Sequence, residues 1–242
     1  MSYNSPANRN SSGRPAYGSA VEVEIDLGLR RYMLRVYNFM AAGLSLTGLV
    51  AYAAVATGLY QQIAETPLMW VVLLVPLGAV LLLGFRVEHM SAGAAQATFW
   101  GYAALMGLSL AGIFLTYTGV SIARVFFISA ATFSAMSLYG YTARRDLSQF
   151  GSFLFMGLVG IVLASLVNLV VGSSAMQFVI SVIGVLVFTG LTAWDTQRVK
   201  EIYLESDSRD VMTKKALMGA LVLYVDFINL FVMLLQFAGQ RR

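Results

Sequence analysis

Two aspartates stand inside long apolar segments near the end of the chain. Asp195 lies in the run QFVISVIGVLVFTGLTAWDTQ, and Asp226 lies in ALMGALVLYVDFINLFVMLLQF. A carboxylate inside a helix that crosses lipid is costly, and it persists mainly where it faces the bundle interior and acts on an ion, a proton or a substrate. These two residues are therefore the first candidates for a functional site.

Two carboxyl groups that approach each other in a membrane have a definite chemistry. At hydrogen-bond distance they resist ionising together, so we expect Asp195 and Asp226 to share one proton and to act as a pH switch. Once deprotonated, they offer up to four oxygens, the ligands that calcium prefers, and they become candidate transient calcium ligands. Arg86, which ends the second apolar segment on the same side of the membrane, is the predicted electrostatic partner; the alternative is an interfacial anchor.

The depth of the two aspartates decides whether they can meet. Counted from the outer ends of their segments at 1.5 Å per residue, Asp195 lies roughly 27 Å deep and Asp226 roughly 16 Å deep. Tilt and an outer turn that begins at Arg241 reduce this difference. The helix of Asp195 is also predicted to continue to Tyr203, because RVKEIY contains good helix formers. We therefore expect the pair to form in the inner half of the bilayer.

The composition identifies the class of protein. Apolar residues make up 58% of the chain and charged residues 12%, which predicts an integral membrane protein. The net charge of +4 does not indicate nucleic-acid binding, because the basic residues fall in short clusters between apolar segments. The chain contains no cysteine, which excludes disulfides and thiolate metal sites, and we expect neither a cofactor nor enzymatic activity.

Seven apolar segments each have about the twenty residues that crossing roughly 30 Å of hydrocarbon requires. They cover residues 36–62, 67–85, 96–118, 121–142, 150–171, 177–197 and 216–237. The third and fourth are joined only by a short hinge at Gly119, and one long kinked helix there would reduce the number to six. Residues 1–20 are rich in Ser, Asn, Gly and Pro and are predicted to be a disordered tail before a transmembrane domain of residues 21–242.

The distribution of basic residues predicts the orientation. Placing the N-terminus inside puts 13 of the 16 Lys and Arg residues on the inner side and leaves Arg124, Arg241 and Arg242 outside. The sequence therefore predicts a cytoplasmic N-terminus and a C-terminus outside. Small residues spaced by four, Gly43 with Thr47 and Gly107 with Ala111, predict close helix contacts.

Three motifs resemble the Bax-inhibitor family of membrane proteins, in particular its bacterial YccA-like branch. They are AWDTQRVKEIY at 193–203, SLYGYTARRDLSQFGSFLFMGLVGIVLASLVN at 137–168 and LYVDFINLFVMLLQFAG at 223–239. The resemblance covers residues 25–239. It implies an all-α fold of seven transmembrane helices in which the last is central and wrapped by the other six, and a location in the bacterial inner membrane.

The resemblance also implies a function. The family is associated with pH-sensitive calcium leak through a pair of aspartates and a nearby arginine, which correspond here to Asp195, Asp226 and Arg86. Position 194 is Trp where many relatives have Tyr, and the segment at 67–85 lacks the acidic residue of some bacterial members. That absence argues against a second cation site near the outer mouth.

Two other functional classes are alternatives. Some bacterial relatives are substrates and modulators of a membrane-anchored AAA protease of the FtsH type, and the tail could serve as its handle, so deleting residues 2–20 tests this interpretation. An intramembrane aspartyl protease also places one Asp on each of two helices. Its second motif is GxGD, however, where this chain has LYVD at 223–226, and bulky Leu223 and Val225 would crowd a substrate backbone.

Overall fold

The computed structural model describes residues 17–242, which form an assembly of α-helices. The predicted disordered tail therefore lies outside the described residues up to residue 16, whereas residues 17–20 already belong to the first helix. The helices are α1 (Tyr17–Ala56), α2 (Leu59–Ala64), α3 (Leu68–Arg86), α4 (Ala92–Leu110), α5 (Ile113–Thr116), α6 (Gly119–Thr142), α7 (Ser148–Val171), α8 (Ser174–Glu201) and α9 (Arg209–Ala238), with a short 3-10 turn at Val87–His89.

Six spans among the described residues are long and apolar enough to cross a membrane. They are the part of α1 from Leu27 to Ala56, α4 together with α5, and α6, α7, α8 and α9. The chain is thus an all-helical, multi-pass membrane protein. The remaining long helix, α3, has 19 residues with Pro76 in its interior.

The third and fourth apolar segments form separate helices. After α4 ends at Leu110, the short α5 adds one turn, and the backbone becomes extended at Tyr117 and Thr118. The Thr118 hydroxyl then accepts a hydrogen bond from the Ser121 N–H and caps α6. Ser91, Ser173 and Ser208 cap α4, α8 and α9 in the same way, so short polar side chains determine where these helices begin.

Helix α9 is the most buried of the six spans. In its most apolar stretch 61% of the residues are buried, compared with 39% in α8 and 11% in α7. It packs against α1, α4, α6 and α8, while α7 packs mainly on α8. Any polar side chain on the inner faces of α8 and α9 is therefore removed from both lipid and water.

The predicted small-residue contacts bring α1 and α4 together. A Cβ atom on Gly107 would lie 2.6 Å from the Thr47 carbonyl oxygen, and one on Gly43 would lie 2.9 Å from the Phe99 ring. Only glycine permits backbones to approach this closely. The close helix contact that the spacing predicts is confirmed at both glycines.

The two ends of the bundle differ in charge. At the end where α1 and α9 begin, which we call the basic end, Arg35 donates to the Thr213 hydroxyl and Lys200 donates to the Tyr141 carbonyl. Lys215 forms an ion pair of 2.6 Å with Asp207 there. At the opposite end the C-terminal residues pair with the connection between α5 and α6, where the Thr118 N–H donates to the Gln240 carbonyl at 3.1 Å.

Candidate functional site

Asp195 and Asp226 face each other between α8 and α9. Asp195 is 7% exposed and Asp226 is 5% exposed, and their carboxyl groups lie close enough to act on each other. Helix α8 extends to Glu201, two residues short of the predicted Tyr203, and α9 begins at Arg209. The longer helices and their packing let the two side chains reach one level, as the depth count requires.

One oxygen of this pair is fully buried. Oδ2 of Asp226 receives no hydrogen bond from an N–H or hydroxyl group within the described part of the chain. A buried polar atom without a partner costs about 1–3 kcal/mol, so such atoms are rare unless they bind an ion, a proton or water. The neighbouring Asp195 carboxyl can satisfy this oxygen once one of the two groups carries a proton.

A chain of hydroxyl groups approaches the pair from α1. The Tyr37 hydroxyl lies 2.6 Å from Ser137 Oγ, which lies 3.0 Å from Thr196 Oγ1, next to Asp195 in sequence. Thr196 donates its proton to the Thr192 carbonyl, so Ser137 must donate to Thr196 and Tyr37 to Ser137. This order connects α1, α6 and α8 in one directed chain.

A second hydroxyl contact lies two residues from Asp226. The Tyr224 hydroxyl is 2.6 Å from Thr47 Oγ1, and both side chains are buried. Thr47 directs its own proton to the carbonyls of Ala103 and Gly43, so Tyr224 is the donor in this contact. It joins α9 to α1 and α4 and holds the Asp226 side of the pair in place.

An arginine that the sequence analysis did not single out lies near the pair. The positive charge that acts on the Asp195 carboxyl is that of Arg198, one helical turn along α8, whose guanidinium also lies 5.6 Å from the centre of the Trp194 ring. Arg86 lies at the last turn of α3 and is exposed. Arg198 is therefore a further candidate for the electrostatic partner, because residues three apart on one helix share a face.

Close backbone packing supports Asp195 from behind. A Cβ atom on Gly140 of α6 would overlap the carbonyl group of Ala193, and one on Gly151 of α7 would overlap the Trp194 ring. The amide of Gln197 also donates to the Arg145 carbonyl and accepts from the Leu147 N–H. Asp195 therefore lies on a part of α8 that packs closely against both α6 and α7.

Sequence reasoning did not single out Tyr37, Ser137, Tyr224 or Arg198. All four are polar residues within or beside apolar segments, and that is the signal that could have found them. Their pairing joins positions up to 177 residues apart in sequence, such as Thr47 with Tyr224. No local spacing predicts that contact.

The site has few ligands for a tightly held metal. Within residues 17–242, no group of three or more His, Cys, Asp or Glu side chains is arranged to hold a metal ion. The Asp pair alone supplies at most four oxygens, whereas calcium takes six to eight. A cation here would complete its coordination with water or backbone carbonyls, as suits an ion that enters and leaves.

A family model described as the inhibitor of apoptosis-promoting Bax1 matches residues 29–242. The chain belongs to the Bax inhibitor family. This confirms the family resemblance of the three motifs, and the match includes every residue of the site described above. Family membership and the six apolar spans together identify a Bax inhibitor family membrane protein.

Relatives from distant bacteria share most of the chain. The inner membrane protein YbhL of Escherichia coli K12 is 46% identical over 89% of this chain and 94% of its own length. The uncharacterized protein RP147 of Rickettsia prowazekii is 48% identical, over 90% of this chain and 92% of its own. An uncharacterized membrane protein of Streptococcus pyogenes is 34% identical, over 91% and 97% respectively.

Proposed function

We propose that the protein is a pH-sensitive, calcium-permeable leak channel whose gate is the proton-sharing pair Asp195 and Asp226. The observation that carries this proposal is that the two carboxyl groups are both buried and lie beside each other between α8 and α9. A carboxylate has no proton to donate, so a hydrogen bond between two carboxyl groups requires that one of them is protonated. We therefore assign one shared proton to the closed contact.

Removing that proton favours opening. Two unit charges a few ångströms apart in a medium of low dielectric constant repel each other strongly, so the fully ionised pair favours separation of α8 from α9. Separation exposes up to four carboxylate oxygens, which calcium prefers. Protons and calcium compete for the same oxygens, so calcium flux through the pair falls as the pH falls.

The interface of α8 and α9 offers a route for the ion. Toward the end opposite the basic end, Gln177 donates to Gln236 at 2.8 Å and Ser181 donates to the same oxygen at 3.3 Å. Between these amides and the Asp pair, the Met233 side chain packs on Gly184. This arrangement supports a closed state in which an apolar stretch separates two polar groups on one interface, and movement of α9 would connect them.

The proposal includes a topology. We propose that α3 is a seventh transmembrane helix and that α9 is the central helix around which the others pack. The basic end then faces the cytoplasm, since basic residues are retained on the inner side. The N-terminus is cytoplasmic and the C-terminus is outside. The membrane is the bacterial inner membrane, because the relative YbhL is described as an inner membrane protein.

Calcium flux into liposomes tests the function. The purified protein is reconstituted with a calcium indicator inside, and wild type is compared with Asp195→Asn and Asp226→Asn. Each variant should lower the flux by about 10- to 150-fold, because a contact to a charged group contributes about 1.5–3 kcal/mol. The matched control is Asp146→Asn, an exposed acid in the loop after α6. If Asp195→Asn and Asp226→Asn both kept the wild-type calcium flux, the proposal would be wrong.

The two alternative functions are an intramembrane aspartyl protease and a substrate and modulator of a membrane-anchored AAA protease. The side chain of Leu223 is fully buried beside Asp226, which supports a binding or transport role over a protease that must admit a substrate strand. A role as substrate and modulator of a membrane-anchored AAA protease is compatible with channel activity. That second proposal rests on the polar composition of the residues before α1, and its test is the removal of those residues.

A further inference from the structure

A cleft that opens toward lipid runs between α1 and α6. Three adjoining cavities form it, with volumes of about 590, 830 and 320 Å³ from the basic end outward. The first two share Tyr37, Phe133 and Ser134 as lining residues, and the last two share Leu44, Phe126 and Phe227. The three cavities therefore follow one another along the cleft, and α9 contributes to its lining through Phe227.

The chemistry of the cleft changes along its length. At the basic end it is lined by the Arg30 side chain and by the hydroxyl-bearing residues Tyr37, Ser134 and Tyr141. Lys200 lies close behind, with its ammonium 5.6 Å from the centre of the Tyr141 ring. Farther along, the lining is almost entirely aromatic and aliphatic. An occupant must carry negative charge and hydrogen-bond acceptors at one end and hydrocarbon along the rest.

The length of the polar and aromatic part matches one leaflet. Arg30 and Leu44 are 14 residues apart on α1, which corresponds to about 21 Å at 1.5 Å per residue. Half of a bilayer, including its headgroup region, measures about 20–22 Å. A lipid with its headgroup at Arg30 would place its acyl chain against Phe133 and Phe227 and end near Leu44.

We propose that this cleft is a binding site for one anionic phospholipid from the leaflet at the basic end. The phosphate lies at Arg30 within reach of the hydroxyls of Ser134 and Tyr141, and one acyl chain fills the gap between α1 and α6. Basic pockets between transmembrane helices bind acidic headgroups in this manner. A free phosphate would leave the apolar part of the cleft empty, whereas a lipid occupies the cleft from Arg30 to Leu44, so the lipid is the occupant that fits this part.

Lipid retention measured by native mass spectrometry tests the site. The protein is exchanged from nanodiscs of phosphatidylglycerol or of phosphatidylcholine into detergent, and the bound lipid is counted. We expect one phosphatidylglycerol per protein and no retained phosphatidylcholine. Arg30→Gln should weaken retention about fivefold, because one basic residue near the membrane surface contributes about that factor. Arg31→Gln removes the same charge from the neighbouring position, which lines a different groove, and should retain the lipid.

A second pair of variants tests the acyl part. Ala130 lines the middle cavity, so Ala130→Phe should fill it and abolish retention, whereas Ala131→Phe on the exposed face should not. Arg30→Lys keeps the charge and should restore retention, which distinguishes lost binding from misfolding. Equal retention of both lipids, wild-type retention by Arg30→Gln, or displacement of the lipid by inorganic phosphate alone would overturn the proposal.

Discussion

Gly140 of α6 lies directly against the backbone carbonyl of Ala193 in α8, two residues before Asp195. A methyl group at this position has no room, because the obstacle is backbone and not the flexible end of a side chain. Gly140→Ala should therefore push α8 away from α6 and lower the free energy of unfolding by about 1–3 kcal/mol. Thermal unfolding in detergent measures this.

The control for that substitution is Gly101→Ala in α4, where nothing lies within 4 Å of the added Cβ atom. Alanine is the better helix former, so this variant should be as stable as wild type or more stable, by up to about 1 kcal/mol. Equal melting temperatures for Gly140→Ala and Gly101→Ala would contradict the close packing of α6 on α8.

The Asp195 and Asp226 pair predicts how flux depends on pH. Protons compete with calcium for the carboxylate oxygens, so calcium flux should fall as the pH falls and rise as the shared proton is lost. In Asp195→Asn and Asp226→Asn the remaining flux should not follow this profile, because the shared proton no longer exists. Liposome flux measured between pH 5 and pH 9 checks this.

Asp146 serves as the control for the pH profile. Hydrogen bonds from the Ser148 hydroxyl and the Ser148 N–H hold the pKa of the exposed Asp146 carboxyl below its usual range. It stays ionised throughout that pH interval, so Asp146→Asn should keep the wild-type profile. A profile that rises toward low pH in wild type would contradict the competition between protons and calcium.

The charge of Arg198 should set the pH at which calcium flux reaches half of its maximum. Its positive charge favours the ionised form of Asp195, so Arg198→Gln should require a higher pH for the same calcium flux. Arg86→Gln should leave the midpoint of the profile unchanged, because Arg86 is exposed at the end of α3. If Arg86→Gln shifted the midpoint as far as Arg198→Gln, Arg86 would be the electrostatic partner in the membrane.

Loss of the hydrogen bond from Tyr37 to Ser137 should lower stability less than Gly140→Ala does. Tyr37→Phe removes the donor to Ser137 and keeps the ring, so it should cost about 0.6–1.7 kcal/mol, the range for hydrogen bonds between membrane helices. Tyr52→Phe on the same helix, at an exposed position, is the matched control. Comparison of the two melting temperatures tests the chain, and identical values would mean that the Tyr37 contact contributes nothing.

Deletion of residues 2–16 tests whether a membrane-anchored AAA protease acts on this protein. Helix α1 begins at Tyr17, so deleting residues 2–16 leaves the helix intact while removing the polar segment. If a membrane-anchored protease takes hold there, the shortened protein should persist longer after synthesis is stopped. Its amount is followed by immunoblot against time, and an unchanged lifetime counts against this role.

The membrane helices and the two aspartates could be read from the sequence. Lipid cannot hydrogen-bond to a backbone, so apolar segments of about twenty residues must form helices, and a carboxylate within them must be internal. At about 1.5 Å per residue, Asp195 and Asp226 could reach the same depth only if their helices extended beyond the apolar segments. Helices α8 and α9 do extend beyond them. The short Thr118 cap that divides α4 and α5 from α6 was open to two interpretations, because a hinge and a kink have similar composition.

The sequence by itself therefore determined the class of protein, its family and the two carboxyl groups at its centre. Only the tertiary structure decided what surrounds them: Arg198 beside the Trp194 ring, the Tyr37 and Ser137 contact, and the glycine that lets α6 reach α8. Such contacts depend on how each helix is rotated and tilted against its neighbours. That arrangement results from packing all the helices together. Residues a hundred positions apart therefore come into contact although no local sequence pattern predicts the contact.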